Sequence, residues 1–272
     1  MRPLGSGSWF CGGPLILGFG FLYAPIVLLV LYSFNASRLV TVWAGFSIRW
    51  YGALLNDASF MTAAVTSLEV AAMAASLALV LGACGGFSMA RFSRFPGRTL
   101  FGFSLLAPLV VPEVILGLSL LLLFVGCESW FGWPRRGMLT ITIAHATFGA
   151  CFVSVLVRAQ LAAFDPALEE AALDLGARPL TVLMRITLPS ISPALASGWL
   201  LAFTLSLDDL VIASFVTGPS ATTLPMAVFS SVRLGVSPEV NALATLFLIV
   251  VFLLVALAGG VMTRAEHHRQ EA

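Results

Sequence analysis

No lysine occurs anywhere in the 272 residues, so all 14 basic side chains are arginines. A nucleotide-binding phosphate loop uses a lysine to reach the β- and γ-phosphates, which excludes ATP hydrolysis by that route within this chain. Charge of either sign is scarce at 10% of residues, and a net charge of +1 lacks the basic footprint that a nucleic-acid partner demands. Cysteine is scarce too: Cys11, Cys84, Cys127 and Cys151 stand in or beside apolar runs with no CxxC pair. That pattern suggests neither a disulfide framework nor a metal site, and the cysteines read as small buried hydrophobes. No cofactor is implied.

What remains is apolar. Hydrophobic residues make up 59% of the chain and the mean hydropathy is +1.01, more than a soluble core of this length could hide, so lipid must solvate much of the surface. A membrane helix needs roughly 20 mostly apolar residues. Stretches of that kind run from Gly12 to Phe34, Met61 to Ala90, Leu100 to Val125, Met138 to Val157, Ala194 to Thr217 and Asn241 to Thr263, predicting a single all-α domain of six membrane spans over residues 1–272. No charge interrupts Pro3 to Ser37, too long for a signal-peptide core, so this segment is read as a retained first helix.

Arg2, Arg91, Arg94, Arg98, Arg158, Arg178, Arg185, Arg264 and Arg269 fall on one side of these spans, and Arg38, Arg49, Arg135, Arg136 and Arg233 on the other. The excess predicts that both termini are cytoplasmic. Trp43, Trp50, Trp130 and Trp133 fall in the outward loops, where indole rings suit the membrane interface. Hydropathy of this kind is shared by channels, carriers and membrane enzymes, so the loops must discriminate.

The longest cytoplasmic segment, Leu161 to Pro193, has an architecture of its own. Asp165 is placed to cap a helix, Pro166 suits its first position, and Glu169 and Glu170 favour the positive end of its dipole. Leu168, Ala171, Ala172 and Leu175 recur at helical spacing as a narrow face of mostly small apolar groups, and Gly176 ends the helix. A second helix starting at Pro179 carries Leu180, Leu183, Met184 and Thr187 on one face and is expected to stop at Pro189 and Pro193.

The succession Glu170-Ala171-Ala172, three residues, Gly176, nine residues, then Ile186-x-Leu188-Pro189 resembles the EAA loop of binding-protein-dependent ABC import permeases. PLVVPEVILGLSLLLLF, RGMLTITIAHATF and the long stretch from Ser197 to Thr245 resemble the spermidine/putrescine branch of that family, most closely its putrescine-type subunit. Glu113 departs from the aspartate expected in that branch. The resemblance implies a transport subunit of a bacterial inner membrane, without enzymatic chemistry, working by alternating access. It implies that Glu169, Glu170, Ala171, Ala172, Asp174, Gly176 and Pro189 couple it to a separate ATP-binding subunit present in two copies. It further implies a second, related permease and an extracytoplasmic substrate-binding protein as partners.

Ionisable residues within apolar spans are costly and call for a reason. They are Glu69, Glu113, His145, Asp208 and Asp209. At about 1.5 Å per residue, Glu113 lies roughly 20 Å from the cytoplasmic end of span three and Asp208 roughly 21 Å along span five. No arginine is placed at that depth, and an ionised carboxylate in a low dielectric must find a cation or take up a proton. A passing di-ammonium chain would supply the cation, whereas sulfate or phosphate would be repelled.

Each residue has a plainer alternative. Asp208 and Asp209 are about 100° apart on a helix, so only one faces a cavity unless the helix is broken there; the other role is to cap such a break. Glu113 contacts substrate or hydrogen-bonds a neighbouring helix. Trp199 and Phe203, below Asp208, hold a substrate by cation–π attraction or simply pack. Glu69 reads as a structural acid and His145 as a satisfied helix contact. The expected function is a path for putrescine or spermidine. The alternatives are another small organic cation or solute carried by the same importer class, or a secondary carrier or channel.

Overall fold

A computed structural model of the chain describes residues 8–38, 42–219, 221–234 and 238–249. In chain order its helices are α1 (Ser8–Ser33), α2 (Arg49–Asn56), α3 (Ala58–Arg91), α4 (Arg98–Val110), α5 (Glu113–Phe131), α6 (Met138–Ala163) and α7 (Ala167–Asp174). They continue with α8 (Pro179–Val182), a π-helical turn (Leu183–Thr187), α9 (Leu188–Asp208), α10 (Val211–Val216), α11 (Leu224–Leu234) and α12 (Pro238–Ile249). No β-strand occurs among the described residues, only an isolated bridge between Asn35 and Phe46. Among the described residues, five helical stretches are long and apolar enough to cross a membrane: Gly13–Ser33, Ala58–Arg91, Glu113–Phe131, Met138–Ala163 and Pro179–Asp208. Of the sixth expected span, only the part up to Ile249 lies within the described residues.

The chain divides into two compact units, Thr62–Ala227 and the described parts of Met1–Met61 with Val228–Ala272. In the latter, Asn35 organises the turn after α1. Its carboxamide oxygen accepts from the Ser37 and Ala44 amides at 3.1 and 2.9 Å, and its amide group donates to the Val42 carbonyl at 2.7 Å. Trp50 is 6% exposed and donates through Nε1 to the Asn35 carbonyl at 2.7 Å, so it is a core residue of this turn. The interfacial role expected for Trp50 is corrected accordingly; Trp43, Trp130 and Trp133 remain exposed.

In Thr62–Ala227, small residues let three long helices approach closely. A side chain on Gly149 of α6 would meet Ala78 of α3 and Ala202 of α9, each at 3.1 Å. Gly82 and Gly86 face α6 one turn apart, against Ala150 with Val153 and Ser154 with Val157, so α3 and α6 run parallel. Gly149 opposite Ala202 and Gly198 opposite Val153 make α9 antiparallel to α6. Ala71, Ala74, Ala75 and Ala78 of α3 are buried, as small residues at a close membrane-helix contact are.

Two breaks depart from the expected spans. The third stretch is interrupted at Val111 and Pro112, separating α4 from α5, because Pro112 cannot donate into a continuous ladder. The fifth is interrupted after Asp208, and α10 starts two residues after Asp209. Conversely, the helix begun at Pro179 does not stop at Pro189 or Pro193 but runs on to Asp208. The π turn widens the ladder just before Pro189, with the Leu188 amide donating to the Leu183 carbonyl. Pro193 leaves the Pro189 carbonyl without its helical donor, and the Ser192 hydroxyl supplies one at 2.7 Å. Serine hydroxyls commonly restore proline-freed carbonyls in this way in membrane helices.

Candidate functional site

Two regions of Thr62–Ala227 hold the expected site residues. The first is the loop around α7. The Asp165 carboxylate accepts from the Ala167 amide at 3.0 Å and starts the helix, with Glu169 and Glu170 in its first turn. Its far end closes with the Gly176 amide on the Leu173 carbonyl at 2.9 Å and the Ala177 amide on the Ala172 carbonyl at 3.0 Å. These paired bonds form a Schellman motif, which requires a left-handed residue at Gly176, where φ is +85°.

No residue of α7 is buried. Leu168, Ala171, Leu175, Glu170 and Asp174 are exposed, Leu175 by 90%, and Ala172 is half-buried. Leu180 and Met184 of the following turns are exposed as well. An eight-residue helix with no buried face is marginal by itself, so its ends and its ties to neighbouring helices hold it in place. Pro189 is exposed and lies within a continuing helix, so its place in the expected coupling set is not that of a helix terminator.

Glu169 differs from its neighbours. It is half-buried, and its Oε1 accepts from the Arg91 guanidinium at 2.7 Å and the Thr187 hydroxyl at 2.5 Å. Neither Arg91 nor Thr187 was selected from sequence; Arg91 lies 78 residues away, beyond any local pattern.

The second region is the break between α9 and α10. Asp209 caps α10, its carboxylate accepting from the Ile212 amide at 3.3 Å and the Ala213 amide at 2.8 Å. His145 of α6 bridges the break, with Nε2 3.0 Å from Asp209 Oδ2 and Nδ1 2.6 Å from Ser206 Oγ. Both contacts are satisfied when Nε2–H donates to Asp209 and Nδ1 accepts from Ser206. The order Ser, His, Asp is that of a hydrolytic triad, but Ser206 and His145 are buried and Asp209 is engaged by backbone amides. The trio therefore closes a helix break and presents no nucleophile. His145 is the satisfied helix contact expected of it; Ser206 carried no separate signal in the sequence.

Asp208 is the last residue of α9 and is exposed among the described residues. Glu113, also exposed, is the first residue of α5. Depth cannot be counted from Ala194, because the helix carrying Asp208 begins at Pro179. A side chain on Gly117 would meet the Phe215 ring at 2.7 Å and Ile212 Cα at 3.4 Å. α5, which Glu113 begins, therefore packs through Gly117 against α10, the helix that follows the break after Asp208.

Trp199 and Phe203 stack on each other at 5.2 Å, and the indole donates to Ser76 at 3.2 Å. Both pack against the buried cluster shared by α3, α6 and α9. Glu69 is exposed on α3. No group of histidine, cysteine and acidic residues with metal-binding geometry occurs among the described residues.

Against known proteins, 256 residues are 59% identical to the putrescine transport system permease protein PotI of Escherichia coli K12, covering 94% of this chain and 91% of that protein. Over 244 residues it is 41% identical to the spermidine/putrescine transport system permease protein PotC of the same strain, covering 90% of each chain. A crystal structure of a bacterial ABC transporter that imports the acidic polysaccharide alginate contains a similar fold, with a TM-score of 0.73, 19% identity and 96% and 98% of the two chains covered. Residues 82–269 match the binding-protein-dependent transport system inner membrane component, and the chain belongs to that family of ABC importer permease subunits.

Proposed function

We propose that this chain forms part of the membrane path of an ATP-driven importer for putrescine or spermidine and takes its energy from a separate ATP-binding subunit seated on α7. The observation that carries the coupling half is α7 itself. It is shaped at both ends by specific caps, yet no residue along it is buried, and Leu168, Ala171 and Leu175 are exposed on it. Exposed apolar groups on a loop whose ends are so defined suit a protein cleft. Glu170, Ala171, Ala172, Asp174 and Gly176 would lie at that contact.

The polyamine half is supported by the PotI and PotC similarities and by the exposed carboxylates of Asp208 and Glu113, each beside a helix break. A chain bearing two ammonium groups would neutralise acids that otherwise face a poorly solvating path. In this reading six spans form one permease domain with both termini cytoplasmic, in a bacterial inner membrane. The remaining partners are a second related permease, a second copy of the ATP-binding subunit and an extracytoplasmic binding protein. ATP binding would draw the α7 helices of the two permeases together and open the path outward, and hydrolysis would reset it.

The test is ATP-driven uptake by the assembled complex in proteoliposomes, with labelled putrescine and unlabelled diamines, triamines, sulfate and neutral amino acids as competitors. Competition by diamines or triamines alone is expected. Uptake that only sulfate or a neutral amino acid competes away would assign a different cargo.

A further inference from the structure

We infer that Glu169 is a positioning residue rather than a docking contact: its carboxylate ties α7 to the end of α3 through Arg91 and to the head of α9 through Thr187, so that displacement of α7 moves both spans together. The inference rests on the reading of α7 as the seat of an ATPase.

Glu169 and Glu170 are adjacent, and helical geometry sends them in directions about 100° apart. Glu170 is exposed, whereas Glu169 is 18% exposed in its side chain and points back at the membrane helices. A single oxygen, Oε1, receives both donors, the Arg91 guanidinium and the Thr187 hydroxyl. Arg91 is the last residue of α3 and Thr187 the last of the π turn, after which α9 continues. The guanidinium is further held over the Phe164 ring, its central carbon 5.7 Å from the ring centre. Charge-assisted hydrogen bonds of this kind are short and directional, which suits a joint that must carry displacement.

No residue of α7 is buried, so its own packing holds it only weakly to the spans. Behind it lies the Gly176 corner, where a side chain would meet nothing within 4 Å, and ahead of it the Asp165–Pro166 turn. A push on a short unburied helix between two such turns would dissipate in local rotation. Anchoring Glu169 to α3 and α9 converts it into movement of the same helices whose interior contacts include Gly149 against Ala78 and Ala202.

The experiment measures uptake and ATP hydrolysis in the same proteoliposomes holding the complete complex. Glu169→Gln, Thr187→Val and the charge-exchanged pair Arg91→Glu with Glu169→Arg are compared with the parent. Molecules imported per ATP are expected to fall about fivefold to tenfold in Glu169→Gln, the size of coupling that a single connecting residue carries. Thr187→Val should show a smaller fall in the same ratio, and the exchanged pair should recover at least half of the parent value. An unchanged ratio in both Glu169→Gln and Thr187→Val overturns the inference, as does loss of hydrolysis and uptake in equal proportion, which is the signature of a docking contact. Absence of ATP-driven uptake by the parent complex would instead be a failure of the proposed function.

Discussion

Gly176→Val is expected to lower ATP-driven uptake by more than tenfold while leaving the membrane helices folded. The reason is conformational. Gly176 has φ of +85°, and an added Cβ would meet no atom of the described residues within 4 Å, so the substitution causes no clash with them. It does place an L-residue in the left-handed region, at a cost of about 1–2 kcal/mol, and a β-branched side chain is the least suited to it. That is enough to open the Schellman end of a helix with nothing buried along it, since an isolated helix of this length is marginal in water. Asparagine tolerates this region, and Gly176→Asn is expected to keep most of the uptake. Initial uptake rates, with thermal unfolding of the purified complex as control, check both; parental uptake in the valine variant would remove α7 geometry from the mechanism.

Asp208→Asn is expected to raise the apparent KM for polyamine uptake by about 10–100-fold, the equivalent of losing one hydrogen bond to a charged group at about 1.5–3 kcal/mol. Folding should be little affected, because the side chain is exposed at the end of α9. Asp209→Ala should behave in the opposite way. It removes the cap from the Ile212 and Ala213 amides and leaves His145 Nε2 unpartnered, so the yield and melting temperature of the complex should fall. Kinetics and thermal unfolding of the two variants separate the roles. An unchanged KM in Asp208→Asn would take that residue out of the path, whatever Asp209 does.

The α7 region was largely legible because its determinants are local. Asp165, Pro166, the acidic first turn and Gly176 each act on backbone groups within a few residues, and each appears in the structure at or within one residue of the expected position.

Proline was misread at Pro189 and Pro193. In water a proline within a helix leaves a carbonyl that solvent readily takes up, so a stop is the natural reading. Here a π turn and the Ser192 hydroxyl repair the ladder, and the helix continues. Hydropathy was blind to the breaks at Pro112 and Asp209 because apolar residues flank both sides. Depth arithmetic for Asp208 failed with it, because the helix carrying that residue begins at Pro179.

The division of labour between Asp208 and Asp209 was open in the sequence for a physical reason. A helix break and its cap are decided by a partner on another element, here His145, which lies 64 residues from Asp209. The same holds for Glu169, whose neighbours along the chain suggest a docking residue and whose distant partners make it a strut. Local spacing located the caps of α7, and long-range hydrogen bonds set the partners of Glu169 and Asp209.

The most direct test of the account is retention of the ATP-binding subunit on affinity-purified permease complex, with and without residues 165–178 in this chain. The two permeases of the complex should each seat one copy, so a deletion confined to this chain is expected to halve the bound ATPase and abolish uptake while the second permease stays associated. Full retention of the ATPase together with normal uptake would contradict energy transfer through this loop.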